Sequence, residues 1–296
     1  MPEIEHAYAR VNGIRLHYAH AGAGPLMLFL HGFPEFWRAW RAPMAHFAAR
    51  GWLAVAPDQR GYNLSAKPEG VEPYRSRHMV EDLRQLAAGL TQERFVLVAH
   101  DWGGAIAWGL AISHPELISH LVIVNAPHPY TFWRELARNP AQQKASEYML
   151  RLRAAKAERA LSENDYERLW RFAFTHGHPG FDEADRRAYR EAWSQPGALT
   201  GALNWYRASP LVPPSDSDPG AARLALEPGD FMVRVPTLVI WGEDDAALLT
   251  GCLEGLEACV PQLRVVRVPG ASHWIVHERP DLVCSEIERF VRSPGV

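Results

Sequence analysis

Asp101 is the residue of this chain most exposed to chemical interpretation. It sits in the run Phe95-Val-Leu-Val-Ala-His100-Asp101-Trp102-Gly103-Gly104, where an apolar stretch gives way at once to an Ala/Gly-rich helical pattern. Strand, sharp turn and helix follow one another with no linker. So tight a turn tolerates only small neighbours, here Ala99, Gly103 and Gly104, and it lifts its central residue above the sheet edge. Backbone N–H groups and the following helix N-terminus favour an ionised carboxylate there. A carboxylate offered to a substrate in that position is a nucleophile that can be alkylated. Two more polar groups follow strand-like runs later in the chain: Asp244 or Asp245, in Gly242-Glu-Asp-Asp, and His273, in Ser272-His-Trp274. An isolated His-Asp-x-Gly-Gly would read equally well as a helix-capping Asp on an ordinary loop, so the weight falls on these partners.

The elements that must position them can be read in order. Residues 6–19 alternate polar and apolar side chains around Asn12-Gly13, which predicts an antiparallel hairpin. Apolar runs at 26–30, 52–56, 95–99, 121–124, 236–241 and 263–268 predict buried strands. Between them, 37–50, 76–90, 104–113 and 280–291 carry helical patterns; Met79, Leu83, Leu86 and Leu90 share one stripe of the second. Such alternation predicts an α/β fold with a parallel, doubly wound sheet whose ligands gather at the carboxyl ends of the strands. It breaks between Pro127 and about Phe231, where helical patterns and Pro-rich loops appear without a strand. Residues 144–159 read as a charged helix, with Glu147 and Arg151 paired toward solvent and Tyr148, Leu152 and Ala155 on a more apolar stripe. Residues 199–208 read as another. The expected organisation is a core of 1–126 and 232–296 with an inserted helical cap of 127–231.

Composition narrows the function classes. The chain has 296 residues, 47% of them hydrophobic, enough for a sizeable core. With 31 Lys and Arg against 34 Asp and Glu, the net charge of −3 offers no basic field for nucleic acid or a membrane surface. Cys252, Cys259 and Cys284 are sparse and unpatterned, as expected of reduced thiols in a cytoplasmic protein. No leader pattern and no apolar run approaching the ~20 residues of a membrane span is present. His176 and His178 suggest a metal pair, but no third ligand has suitable spacing, so a loop and no metal are expected.

Taken together, His31-Gly32-Phe33-Pro34, His100-Asp101-Trp102-Gly103-Gly104, Gly242-Glu243-x-Asp245 and Ser272-His273-Trp274 resemble the α/β-hydrolases over essentially the whole chain, and among them the epoxide hydrolases. The resemblance implies a mostly parallel eight-stranded sheet flanked by helices, with an inserted cap. It implies Asp101 as nucleophile, His273 as the base that activates water, and Asp245 rather than Asp244 as the acid that orients it. Backbone N–H groups of Phe33 and Trp102 are where the family builds its oxyanion hole, and Pro34 fixes the loop that holds Phe33, with a cis bond as one way to do so. Two cap tyrosines protonate the opened ring. Gly201-Ala-Leu-Asn-Trp-Tyr206-Arg207 matches the motif of the second, and Glu147-Tyr148 that of the first, with Tyr130 and Tyr166 as substitutes. His31, Pro34, Trp37, Trp205 and Trp274 are expected to line the substrate pocket.

The implied activity is conversion of an apolar epoxide and water to a vicinal diol, without cofactor, by a monomer or homodimer. A haloalkane or haloacid dehalogenase shares the Asp nucleophile, but the cap lacks a matched second halide donor beside Trp102 and no Arg follows Asp101. Some dehalogenases place their acid where this chain has Asn125, and an amide cannot serve. A non-catalytic ligand receptor on the same fold is the alternative from another class, against which the intact set of reactive residues argues.

Overall fold

The structure is a computed structural model in which residues 3–174 and 181–292 are described. Its centre is one eight-stranded sheet, ordered β1-β2-β4-β3-β5-β6-β7-β8. The strands are β1 (Glu5–Val11), β2 (Ile14–Ala21), β3 (Leu26–Leu30), β4 (Leu53–Pro57), β5 (Phe95–His100), β6 (Ile118–Val124), β7 (Thr237–Gly242) and β8 (Leu263–Val268). Only the first two pairings, β1 with β2 and β2 with β4, are antiparallel; the other five are parallel. The predicted hairpin turns at Asn12 and Gly13, both with positive φ.

Period-two alternation sends the inner strands into two cores. In β3, Leu26, Leu28 and Leu30 join the cluster that includes Met79, Leu83 and Leu86 of α2 (Ser76–Leu90) and Ile106 and Leu110 of α3 (Trp102–Ser113). Met27 and Phe29 point the other way, to Met44 and Phe47 of α1 (Arg41–Ala48) and to Ile287 and Phe290 of a closing helix, Pro280–Arg292. Each large side chain buried this way contributes about 1.5–3 kcal/mol. The two-sided burial is why these strands read as unbroken apolar runs.

Between β6 and β7 the described residues carry helices: α4 (Pro129–Arg138), α5 (Pro140–Ala145), α6 (Tyr148–Arg153), α7 (Ala157–Phe174), α8 (Glu183–Ser194) and α9 (Ala198–Ala208). The single helix expected over 144–159 is not formed. The chain turns at Ser146, leaves helical geometry again at Ala154, and distributes those residues over α5, α6 and α7. The cause is long-range. Gln142 is fully buried, its side-chain amide donates to Ala247 O (2.7 Å), and its carbonyl oxygen accepts from Leu249 N–H (2.9 Å). Those two bonds pin α5 to the loop after β7, and the chain turns just beyond it. The helix expected over 37–50 likewise opens with a short 3-10 turn, Trp37–Trp40, before α1. His176 and His178 lie outside the described residues.

Candidate active site

Asp101 stands between β5 and α3 with φ 51° and ψ −125°, an uncommon backbone conformation for a residue with a Cβ. Its carboxylate makes no capping bond to the helix it precedes, so the helix-cap reading fails. Instead Oδ1 accepts the Phe33 N–H at 2.7 Å. That approach needs Gly32, because a Cβ there would lie 2.1 Å from Asp101 Oδ1. The Phe33–Pro34 peptide bond is cis. Trp102 is the first residue of α3, so its N–H has no intrahelical acceptor.

His273 meets both acids. Its Nε2 lies 3.6 Å from Asp101 Oδ2, and its Nδ1 lies 2.7 Å from Asp245 Oδ2. Of the two adjacent acids, Asp245 is buried and meets His273, whereas Asp244 is exposed. Asp245 Oδ1 accepts from the N–H groups of Ala247 (2.8 Å) and Leu248 (2.9 Å), and Oδ2 accepts from the Asn125 amide (2.8 Å). Burial opposes ionisation of Asp245, but the charge and hydrogen bond of His273, with the Leu248 and Asn125 bonds, hold its pKa below the usual value. For His273, burial favours the neutral ring. The charge and hydrogen bond of Asp245, then the charges of Asp101 and Glu35, outweigh it and raise the pKa to about 9. Asp245 is therefore the acceptor and Nδ1 carries the proton, which leaves Nε2 turned toward Asp101.

A further buried group stands behind the histidine. His100 Nε2 donates to the backbone carbonyl of His273 at 2.9 Å, and its Nδ1 is 3.4 Å from Glu35 Oε2. Glu35 Oε1 accepts from Tyr189 O–H (2.8 Å) and from His277 Nε2 (2.5 Å). Against the penalty of burial, the charge and hydrogen bond of His277, with His100 close by, hold Glu35 well below the carboxylate range. Glu35, His277 and the orienting role of Asn125 escape a reading of the sequence. Their types are visible beside the motifs, but only the fold brings them to His273 and Asp245.

Tyr148 and Tyr206 face the same site. Both line a cavity of about 70 Å³ together with Asp101, Trp102, Pro127, Phe132 and Leu248, among others. The Tyr206 ring stands edge-on to Trp102 (5.0 Å) and to Phe33 (5.2 Å). The Tyr148 and Tyr206 rings stand edge to face, 6.2 Å apart. Burial foremost, then neighbouring acidic groups including Asp101, raise both phenols far above their ordinary value, so both remain protonated at any working pH. Tyr130 packs on Trp133 and Tyr166 on Trp193, and neither lines the cavity.

The expected pocket residues are placed differently. None of His31, Pro34, Trp37, Trp205 or Trp274 lines the cavity that contains Asp101. His31 is wholly buried and accepts the Gln59 N–H at 3.1 Å, and Trp37 packs on His6 and Phe36. Trp205 donates to Arg60 O at 2.9 Å, Trp274 packs on His273 and Phe174, and Pro34 borders a separate small cavity beside Phe36. Of the five, Trp205 packs on Trp102, which lines the cavity, and Trp274 on His273. Large aromatics beside a motif are as useful for packing as for lining, and sequence does not separate the two. Among the described residues, no group of three or more His, Cys, Asp or Glu could hold a metal ion, and no helix is long and apolar enough to cross a membrane. The three cysteines are buried and unpaired.

The family described as alpha/beta hydrolase fold matches residues 25–280. The chain is 38% identical to the AB hydrolase superfamily protein YfhM of Bacillus subtilis (strain 168), over 99% of this chain and all of that protein. It is 36% identical to epoxide hydrolase 3 of Xenopus tropicalis, over 98% of this chain and 78% of the relative. Among solved structures, the Bacillus megaterium epoxide hydrolase in complex with an inhibitor superposes with a TM-score of 0.89 at 37% identity, covering 97% of this chain and 100% of that one.

Proposed function

Since the chain belongs to the α/β-hydrolase fold family, in its epoxide hydrolase branch, we propose that it converts apolar epoxides to vicinal diols through an ester on Asp101. The reading rests on one observation: the nucleophile and two protonated tyrosines share the wall of one largely apolar cavity. Residues 127–231 act in this scheme as a cap that carries the tyrosines.

An epoxide oxygen hydrogen-bonded to Tyr148 and Tyr206 places a ring carbon before Asp101 Oδ2. The carboxylate attacks that carbon and the C–O bond on the tyrosine side breaks. The alkoxide so released is far more basic than a phenolate, and a tyrosine supplies its proton. The product of this step is an alkyl ester of Asp101. Phe33 N–H already holds Oδ1 at 2.7 Å and remains on it as negative charge develops there in the second step, with the Trp102 amide as second donor.

The second step needs a neutral His273. In the resting enzyme the ring is held protonated up to about pH 9, in part by the charge of Asp101. Esterification removes that charge, so the ring pKa falls and Nε2 becomes able to take a proton from water. The hydroxide formed adds to the ester carbonyl carbon, the bond from that carbon to Oδ2 breaks, and the diol leaves. The proton that His273 gives up on esterification replaces the one tyrosine gave to the ring oxygen. The proton it then takes from water restores the imidazolium, and the remaining hydroxide proton passes from the regenerated Asp101 carboxyl to the leaving diol oxygen. Asp245 stabilises the imidazolium throughout, held by Ala247, Leu248 and Asn125.

A single turnover with enzyme in excess, run in ¹⁸O-labelled water, separates this route from direct attack by water. The expected result is unlabelled diol and label in the peptide containing Asp101. Labelled diol with an unlabelled enzyme would remove Asp101 from the role of nucleophile.

A further inference from the structure

A second buried carboxylate stands behind the water-activating histidine. Glu35 Oε2 and His100 Nδ1 lie 3.4 Å apart, each side chain 1% exposed. The His100 ring centroid is 4.7 Å from that of His273, and its Nε2 donates to the His273 carbonyl. With Nε2 committed as donor, a neutral His100 offers Glu35 a bare Nδ1, and neither that nitrogen nor Glu35 Oε2 has a hydrogen-bond partner. Glu35 Oε1 is fully engaged, accepting from Tyr189 O–H at 2.8 Å and from His277 Nε2 at 2.5 Å. Two states are therefore open to Glu35. Beside a protonated His277 it is a carboxylate in an ion pair. Without that charge burial favours the neutral acid, and a proton on Oε2 finds its acceptor in His100 Nδ1.

The surroundings leave His277 as the group that sets this balance. His31 and Tyr62, also near Glu35, are buried and neutral, burial lowering the pKa of the imidazole and raising that of the phenol. His277 and Tyr189 line a cavity of about 180 Å³ that shares no residue with the one containing Asp101. Arg38, Arg41 and Asp185 line it as well, and both guanidinium groups are paired with Asp185 at 2.9 Å. We propose that His277 is a positioning residue for the hydrolytic step: its charge keeps Glu35 ionised behind His100, and that carboxylate strengthens His273 as the base. Glu35 is among the charges that hold His273 protonated at rest, so discharging it weakens the base. The proposal rests on the epoxide hydrolase reading given above.

The test is the pH dependence of ester hydrolysis in single turnovers of styrene oxide, followed by rapid-quench mass spectrometry. It compares the wild type with His277→Gln, Glu35→Gln and the double variant; glutamine at 277 keeps a neutral donor for Oε1. The sign of the shift discriminates. If the His277 cation acted directly on His273, its removal would move the midpoint to higher pH. Acting through Glu35, its removal discharges the carboxylate and should move the midpoint lower, by about one pH unit. Glu35→Gln should do the same, and the double variant should shift no further. The His277 side chain is 12% exposed, so its variant alone carries the sign if the buried Glu35→Gln does not fold. A midpoint that rises or stays in His277→Gln, or shifts that add in the double variant, would overturn the role of His277 while ester formation continues. A wild type that forms no ester with the epoxide would instead overturn the functional reading.

Discussion

Asp101, Asp245 and His273 stand on loops that leave β5, β7 and β8, whereas Tyr148 and Tyr206 stand on helices α6 and α9, outside the sheet. The two halves are held by different physics. Each member of the first is placed by the backbone of its own strand and turn, reinforced by short bonds such as Phe33 N–H to Asp101 and Asn125 to Asp245. The second is hung from the core by side chains that reach backbone atoms across long sequence separations. Gln142 bonds Ala247 and Leu249, Trp193 donates to Pro34 O at 2.6 Å, Asn204 to Gly70 O at 2.9 Å, and Trp205 to Arg60 O at 2.9 Å. A strand-end loop is a local solution. Seating a helix on a core is a distributed one, in which each contact can be lost separately. The sheet half should therefore fail in chemistry when altered, and the helical half in alignment.

The largest effect should come from the sheet half. His273→Gln leaves the Asp101 carboxylate in place and able to attack, so epoxide should alkylate the protein, while steady-state turnover falls by about 10⁴-fold or more, as for loss of one member of a concerted unit. Intact-protein mass spectrometry should find a one-substrate adduct on the peptide containing Asp101. A folded variant that binds substrate yet shows no adduct would place His273 in the first step as well. In the wild type, ester hydrolysis should speed up with rising pH as His273 loses its proton, with a midpoint below the resting value of about 9, because the ester carries no charge. A midpoint unchanged from the free enzyme would break the link between esterification and the base.

The tyrosines come next. Tyr206→Phe and Tyr148→Phe should each slow ester formation by roughly 10²–10³-fold, the scale of lost general-acid assistance, and leave hydrolysis of a preformed ester nearly unchanged. Rapid-mixing single turnovers separate the two steps. Normal alkylation in both variants would remove the helical half from the chemistry altogether.

The smallest expected effect tests the suspension itself. Gln142→Ala leaves the Leu249 N–H and Ala247 O without partners, at a cost of about 1–3 kcal/mol, or a melting temperature lower by a few degrees. Turnover should drop several-fold through ester formation alone, since α5 leads directly into the turn before Tyr148. A matching loss in ester hydrolysis would show that the bond serves the Asp245 loop instead, and would blur the contrast between the halves.

Much of the molecule is legible in the sequence because its determinants are local. Two-sided burial demands continuous apolar strands, and a strand that passes straight into a helix demands small residues around Asp101. The motif ending in Tyr206 is likewise contiguous. Asp245 is distinguished from Asp244 by motif spacing before burial confirms which of them is enclosed. Tertiary structure decided what depends on distant partners. A helical pattern runs through 144–159, yet Gln142 is drawn to Ala247 and Leu249, and the break that follows sets Tyr148 on its own short helix. Trp205 and Trp274 pack on Trp102 and His273 without lining the cavity, while Phe132, Met149 and Leu248 line it. An apolar side chain gains about as much from packing behind a wall as from lining it, so its type carries no information about which it does. Glu35, His100 and His277 meet only because β3 and β5 are neighbours in the sheet and the chain after the edge strand β8 crosses back over their ends to the short helix Ile275–Glu278. Residue type and spacing limit what the groups can do, and the convergence of strand ends selects which of them act together.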